Sequence, residues 1–218
     1  LIAFAISFAC SCGFAQATES DEFLPNKWSE GLHLFLGGGV NSTAYASSIK
    51  SSSLGLGSNF KTDLSYVLND RWAVEWSSSV KFNQVDGYLL WDTLLTLGVR
   101  YRLRPLPGFD LDSSFVRFFV GRAPTVVFFR GGSQPDNQNV SVDRVQFDGP
   151  VAGIGFGAFR RMESGSTWFY EVAGSVQRLE QEDGIQLDGE VPVVAFHSVR
   201  TDGSTLYSLY AVIGLLIF

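Results

Sequence analysis

Between Trp72 and Phe82 the chain alternates with period two. Trp72, Val74, Trp76, Val80 and Phe82 fall on one face, and Ala73, Glu75, Ser77, Ser79 and Lys81 fall on the other. Successive side chains of a strand point to opposite faces. As a strand, this segment therefore carries bulky apolar groups on one side and charges on the other. The division recurs. Phe60, Thr62, Leu64, Tyr66 and Leu68 oppose Lys61, Asp63, Ser65 and Val67. Leu89, Trp91, Thr93, Leu95, Leu97, Val99 and Tyr101 oppose Asp92, Thr96, Gly98 and Arg100, and Trp168, Tyr170, Val172 and Val176 oppose Glu171, Ser175 and Gln177. A soluble barrel of the lipocalin kind buries its apolar face and wets the other. Wide Trp- and Leu-rich outer stripes reverse that order and suit a barrel whose outside meets hydrocarbon.

Composition supports the same class. The chain is 45% hydrophobic and 17% charged, with 23 glycines, yet it has no internal apolar run of about 18 residues, so no transmembrane helix is indicated. The net charge of −6 argues against nucleic acid as a partner. The final segment, Tyr207–Phe218, is uncharged. It is close to the roughly 9–11 residues of one tilted membrane strand, and an unpaired apolar strand in water invites aggregation. A closed barrel pairs every backbone group, and a terminal Phe suits an aromatic girdle.

At the other end, Leu1–Ala17 carries no charge. Its run Leu1–Ala9 has the character of a secretory signal core, with small residues around Gly13–Ala17 for cleavage. We read residues 1–17 as a signal trimmed at its start and 18–218 as one barrel domain. Cys10 and Cys12 are the only cysteines and lie in that signal. The mature chain then makes no disulfide and no thiol chemistry.

Eight strands are expected: near Gly31–Val40, with Leu32, Leu34 and Leu36 on one face, then Leu54–Leu68, Trp72–Phe82, Tyr88–Arg102, Phe115–Phe129, Val145–Phe159, Thr167–Glu180, and the C-terminal segment. Pro124 marks a bulge or irregular edge, and Gly149, Gly153, Gly155 and Gly157 soften the sixth strand. Breaks at Asn41–Ser53, Arg130–Asp143 and Gln181–Ser204 are long and polar. Those at Asn69–Arg71, Leu103–Ser113 and Arg161–Ser166 are shorter. The expectation is an all-β, eight-stranded antiparallel transmembrane barrel with long extracellular loops and short periplasmic turns. The short break Asn83–Gly87 spoils a perfect alternation.

Two stretches carry a family resemblance. Leu64–Glu75 (strand, tight acidic turn, Trp, apolar residue, Glu) resembles the second hairpin of OmpW- and OmpA-type small barrels. Phe115–Phe129 is similar to a family strand that passes an aromatic-rich Val-Gly, although Arg122 and Pro124 stand where small residues are usual. The resemblance implies a small bacterial outer-membrane barrel of the porin superfamily. It also implies that the terminal Phe218, with Tyr210, forms the signal read by the barrel assembly machinery, and that membrane lipid and lipopolysaccharide are neighbours. A monomer is favoured.

Charges in hydrocarbon are costly, so Lys61, Asp63, Glu75, Lys81, Asp92, Arg100, Arg117 and Glu171 are expected to line the lumen. They form either a plug of ion pairs or a narrow path whose charges set selectivity. The function expected is structural, or a narrow porin-like channel for passive passage of small solutes or hydrophobic compounds. A loop-borne adhesin or receptor is the alternative. A lipid A-modifying barrel enzyme is the less favoured reading. Such an enzyme needs a Ser activated by His, and the chain has two His. His33 reads as a lumen residue. His197 and Ser198 are adjacent, so on a strand they point to opposite faces. No catalytic residue, metal site or cofactor is expected. Gly37–Gly39 reads as a bend at a strand end and not as a phosphate cradle.

Overall fold

A computed structural model describes residues 31–46, 54–85, 88–103, 111–128, 144–181 and 205–218. The signal read at 1–17, both cysteines, His197, Ser198 and the long breaks at 130–143 and 182–204 lie outside these residues.

The described residues form β1 (Gly31–Ala46), β2 (Leu54–Val67), β3 (Trp72–Val85), β4 (Tyr88–Leu103), β5 (Ser113–Arg122), β6 (Thr125–Phe128), β7 (Arg144–Asp148), β8 (Pro150–Arg161), β9 (Thr167–Arg178), β10 (Glu180–Gln181) and β11 (Thr205–Leu216). β6 continues β5, β8 continues β7, and β10 continues β9, so the eleven segments make eight staves. Every neighbouring pair is antiparallel, and β11 closes on β1.

The register fixes the barrel's shape. Ladder partners run from Phe35 to Asp63, Ser77, Thr96, Gly121, Val151, Gln177, Leu206 and back to β1 at Tyr45. The circuit returns ten residues further along the strand on which it began. Eight strands with that stagger tilt by roughly 40° and enclose an axis about 8 Å from the backbone. Side chains from opposite walls meet at such a distance, so the interior is filled and not hollow.

The outer face is apolar. Leu97, Phe118 and Val172 each stay more than half exposed. Two cross-strand aromatic pairs on β3 and β4 mark the edges of the band: Trp72 on Tyr101, with ring centroids 4.6 Å apart, and Phe82 on Trp91 at 5.2 Å. They are ten residues apart along β3. On a strand tilted by about 40° that rise is roughly 25 Å, the height of the apolar band of a membrane barrel.

The tight turn after β2 is closed by Asn69. Its side-chain oxygen accepts from the backbone N–H groups of Arg71 and Trp72, both at 2.9 Å, the self-capping that favours Asn in turns. The turn after β8 places Gly165 at φ +86°, where a side chain is strained. A two-residue step, 86–87, joins β3 to β4.

Three local expectations change. The first strand runs past Val40 to Ala46, because Ser42–Ala46 find partners in Leu209–Thr205 and Ser42–Ala44 also pair with Leu56–Leu54. Of the two readings of Pro124, the irregular edge holds and the bulge does not: the strand is interrupted at Ala123 and Pro124, between β5 and β6. Leu95 pairs with Arg122 and Asp92 with Thr125, so equal lengths pass on both strands and the ladder resumes in register. The neighbouring strand breaks at the same level, where Ala123 N–H donates to Gly149 O at 3.0 Å. Gly37–Gly39 lies within β1, paired on both sides, and not at a strand end.

Candidate functional site: the barrel interior

The inward positions of β2, β3, β4, β5 and β9 bring six charges together. Lys61 pairs with Asp63 at 2.8 Å and with Glu171. Asp63 pairs with Arg100 at 3.4 Å, and Arg100 with Glu75 at 2.8 Å. Glu75 pairs with Arg117, which pairs with Glu171 at 2.9 Å. The partners close into a ring in which three cations alternate with three anions. All six side chains are buried, and the ring is neutral. Ser77 adds a hydroxyl hydrogen bond to Asp63. Burying any one of these charges alone would cost several kcal/mol; in the ring each charge has two opposite neighbours.

Below the ring lies an aromatic floor. Phe35 packs on Phe159 at 5.7 Å and edge-on to Phe169 at 5.6 Å, and Phe115 packs on Phe159 at 4.9 Å. The Arg100 guanidinium sits over Phe35 at 4.7 Å and Phe115 at 4.5 Å, and Arg117 sits over Phe119 at 4.5 Å. Desolvated contacts of this kind are worth about 2 kcal/mol or more each. They also fix the guanidinium planes that meet the carboxylates.

Glycines make the room. Gly37 and Gly214 are ladder partners; a Cβ on Gly37 would stand 2.8 Å from the Phe169 ring, and one on Gly214 would strike the same ring. On β8, a Cβ on Gly153 would strike Phe119, one on Gly157 would strike Phe115, and one on Gly155 would stand 2.8 Å from Glu171 Oε1. The sixth strand's glycines therefore leave space for large side chains of the strands on either side. The alternation of Gly153, Gly155 and Gly157 against inward Phe115, Arg117 and Phe119 was the available signal.

The other half of the interior is different. Lys81 and Asp92 face each other at 3.8 Å. Thr125 donates to Asp92 at 2.9 Å, and Lys81 reaches Ser175 at 3.4 Å and the Tyr210 ring at 4.8 Å. Gln177 donates to Ala123 O and Thr125, both at 2.8 Å. Among the described residues, the other polar side chains here are uncharged: Asn41, Thr43, Asn59, Ser79, Asn83 and Ser208.

All eight charges read from the sequence thus lie inside the barrel, six in one ring and two as a separate pair. Tyr210 and Phe218 separate in space. Tyr210 points inward and is buried, whereas Phe218 lies past the end of β11 and is exposed. Leu34 N–H donates to Phe218 O at 3.0 Å, and Ile217 N–H donates to Leu34 O at 2.8 Å, so the last residues still pair with β1. His33 is on β1 near Phe35, with ring centroids 6.4 Å apart.

Two solved structures share this architecture. One is Ail, the attachment invasion locus protein of Yersinia pestis: TM-score 0.54, 12% identity, covering 86% of this chain and 99% of that one. The fold is that of the small outer-membrane β-barrels. The other is Neisserial surface protein A, with TM-score 0.52 and 9% identity, covering 85% of this chain and 99% of that one. Identities this low speak to fold alone. The sequence matches no protein-family model and no curated protein.

Proposed function

We propose that this chain is a bacterial outer-membrane barrel of structural, loop-presenting type whose interior is sealed. The observation that carries the reading is the closed, neutral ion ring seated on its phenylalanine floor. A conducting path leaves charges facing water, whereas here each ring charge is turned to two opposite ones. Placement in the membrane rests on the outer apolar band, about 25 Å between its aromatic pairs. Lipid and lipopolysaccharide are then the neighbours of the outer face. Phe218 is the residue offered to the assembly machinery, and Tyr210, being buried, belongs to the folded interior. The barrel in this reading is monomeric and not an enzyme.

Solute uptake tests it. Proteoliposomes carrying the refolded barrel should swell in sugars and amino acids no faster than empty liposomes. Swelling that grows with protein content would return the narrow-channel reading. A second reading, a loop-borne binding role, gains weight from the sealed interior, which leaves the loops as the surface free to vary. Ail is named for attachment and invasion. Deleting residues 182–204 should then abolish whole-cell binding while leaving the barrel folded.

A further inference from the structure

The half of the interior above the ring holds polar groups that the protein leaves without partners. Asn41, Asn59 and Asn83 are each at least 95% buried, yet neither their amide nitrogens nor their oxygens make a hydrogen bond, and the Ser79 hydroxyl makes none. Leaving such a group unsatisfied costs about 1–3 kcal/mol, and native interiors rarely do so.

These residues share one stretch of wall. Asn59 is the ladder partner of Lys81. Gly57 stands between Asn41 and Asn83, pairing with both; a Cβ there would come 2.8 Å from Asn41 Oδ1, so the missing side chain lets Asn41 lean over β2. Ser79, Lys81 and Asn83 alternate along the inward face of β3.

Lys81 completes the set. Lys61, Arg100 and Arg117 each make two ion pairs, but among the described residues Lys81 pairs only with Asp92 Oδ2 at 3.8 Å, while Thr125 donates to the other carboxylate oxygen. An ammonium with three donors and a loose counter-ion shares this wall with a hydroxyl and three carboxamides whose nitrogens and oxygens are both unpaired, and each carboxamide can turn its N–H₂ group toward an anion. A cation is disfavoured beside Lys81. A bulky anion is disfavoured because all of these side chains are buried, which leaves little accessible surface around them.

We propose that Asn41, Asn59, Ser79, Lys81 and Asn83 form a binding site for a small monovalent anion of halide size, held above the ion ring. The ammonium supplies the charge, and the amides and hydroxyl replace the ion's water.

Bromide is the probe. Crystals of the refolded barrel grown in sodium bromide should give an anomalous peak within hydrogen-bond reach of Lys81 Nζ and at least two of the three amides. The double variant Lys81→Gln/Asp92→Asn removes both charges together, so net charge is unchanged, and the peak should vanish. If that variant does not fold, Asn59→Ser keeps a polar side chain and should reduce the peak's occupancy severalfold. In solution the wild-type barrel should resist heat unfolding better in chloride than in gluconate at equal ionic strength, and Asn59→Ser should shrink the difference. Only ordered water at the amides, bromide only on the outer surface, or equal stability in both salts would overturn the site.

Discussion

The two halves of the interior are built on opposite principles. Below, six charges are matched one to one and pressed onto phenylalanine rings, and flanking glycines are cut away to admit them. Above, among the described residues, one loose ion pair sits among amides and hydroxyls, several of which have no hydrogen-bond partner. Both halves are polar interiors of one barrel, wound by one register. Burial alone is therefore not what the proposed seal rests on. In that proposal the lower half closes because its charges are paired with each other and its floor is apolar; the upper half keeps hydrogen-bonding capacity for something else.

Breaking the ring should have the largest effect. Glu75→Leu removes the carboxylate that joins Arg100 to Arg117 and leaves excess positive charge in a dry site. We expect a loss of about 3–5 kcal/mol, as when one partner of a buried pair is deleted. Urea unfolding in detergent, followed through the tryptophans, measures it. A loss comparable to that of an exposed charge would mean the ring is open to water.

Filling the lower half should cost less. Gly155→Val puts methyl groups where Glu171 Oε1 lies, and overpacking of this kind costs about 1–3 kcal/mol. The same substitution at Gly174, where a Cβ meets only Ser208 O at 3.9 Å, should be close to neutral. Equal effects at the two positions would show that the glycines do not shape the lower interior.

The smallest effect belongs to the upper half. Thr43 and Ser208 share a buried hydroxyl hydrogen bond at 3.2 Å. Replacing both, Thr43→Val with Ser208→Ala, should change stability by about 1 kcal/mol or less, since removing both partners leaves no orphaned group. A loss as large as that of Glu75→Leu would erase the contrast between the halves.

Much of this was legible in the sequence. Period-two alternation separates Trp76 from Glu75 and Trp91 from Asp92 without any structure. Eight of the nine buried charges follow from the cost of charge in hydrocarbon; the ninth, Arg102, shares the parity of Arg100 and was missed. The pairing was not legible: Lys61 meets Glu171 and Glu75 meets Arg117 only because a stagger of ten brings distant strands across the lumen, and no local pattern encodes that number. The aromatic floor was hidden for another reason. Phe60 and Phe82 belong to the outer stripes while Phe115 and Phe119 share the inward parity of Arg117, so residue type alone does not place a phenylalanine. Pro124 interrupts its strand as proline ordinarily does, but the kept register was not legible. The partner strand breaks beside it at Gly149, so the missing donor is absorbed without a register shift.

The proposed seal of the barrel is the ion ring. Single-channel recording of the refolded wild-type protein in planar bilayers, with the compact form verified on an unheated gel, is the decisive test. A sealed barrel is folded and electrically silent. Discrete, salt-dependent conductance steps from the wild-type protein, altered by Arg100→Ala, would contradict it.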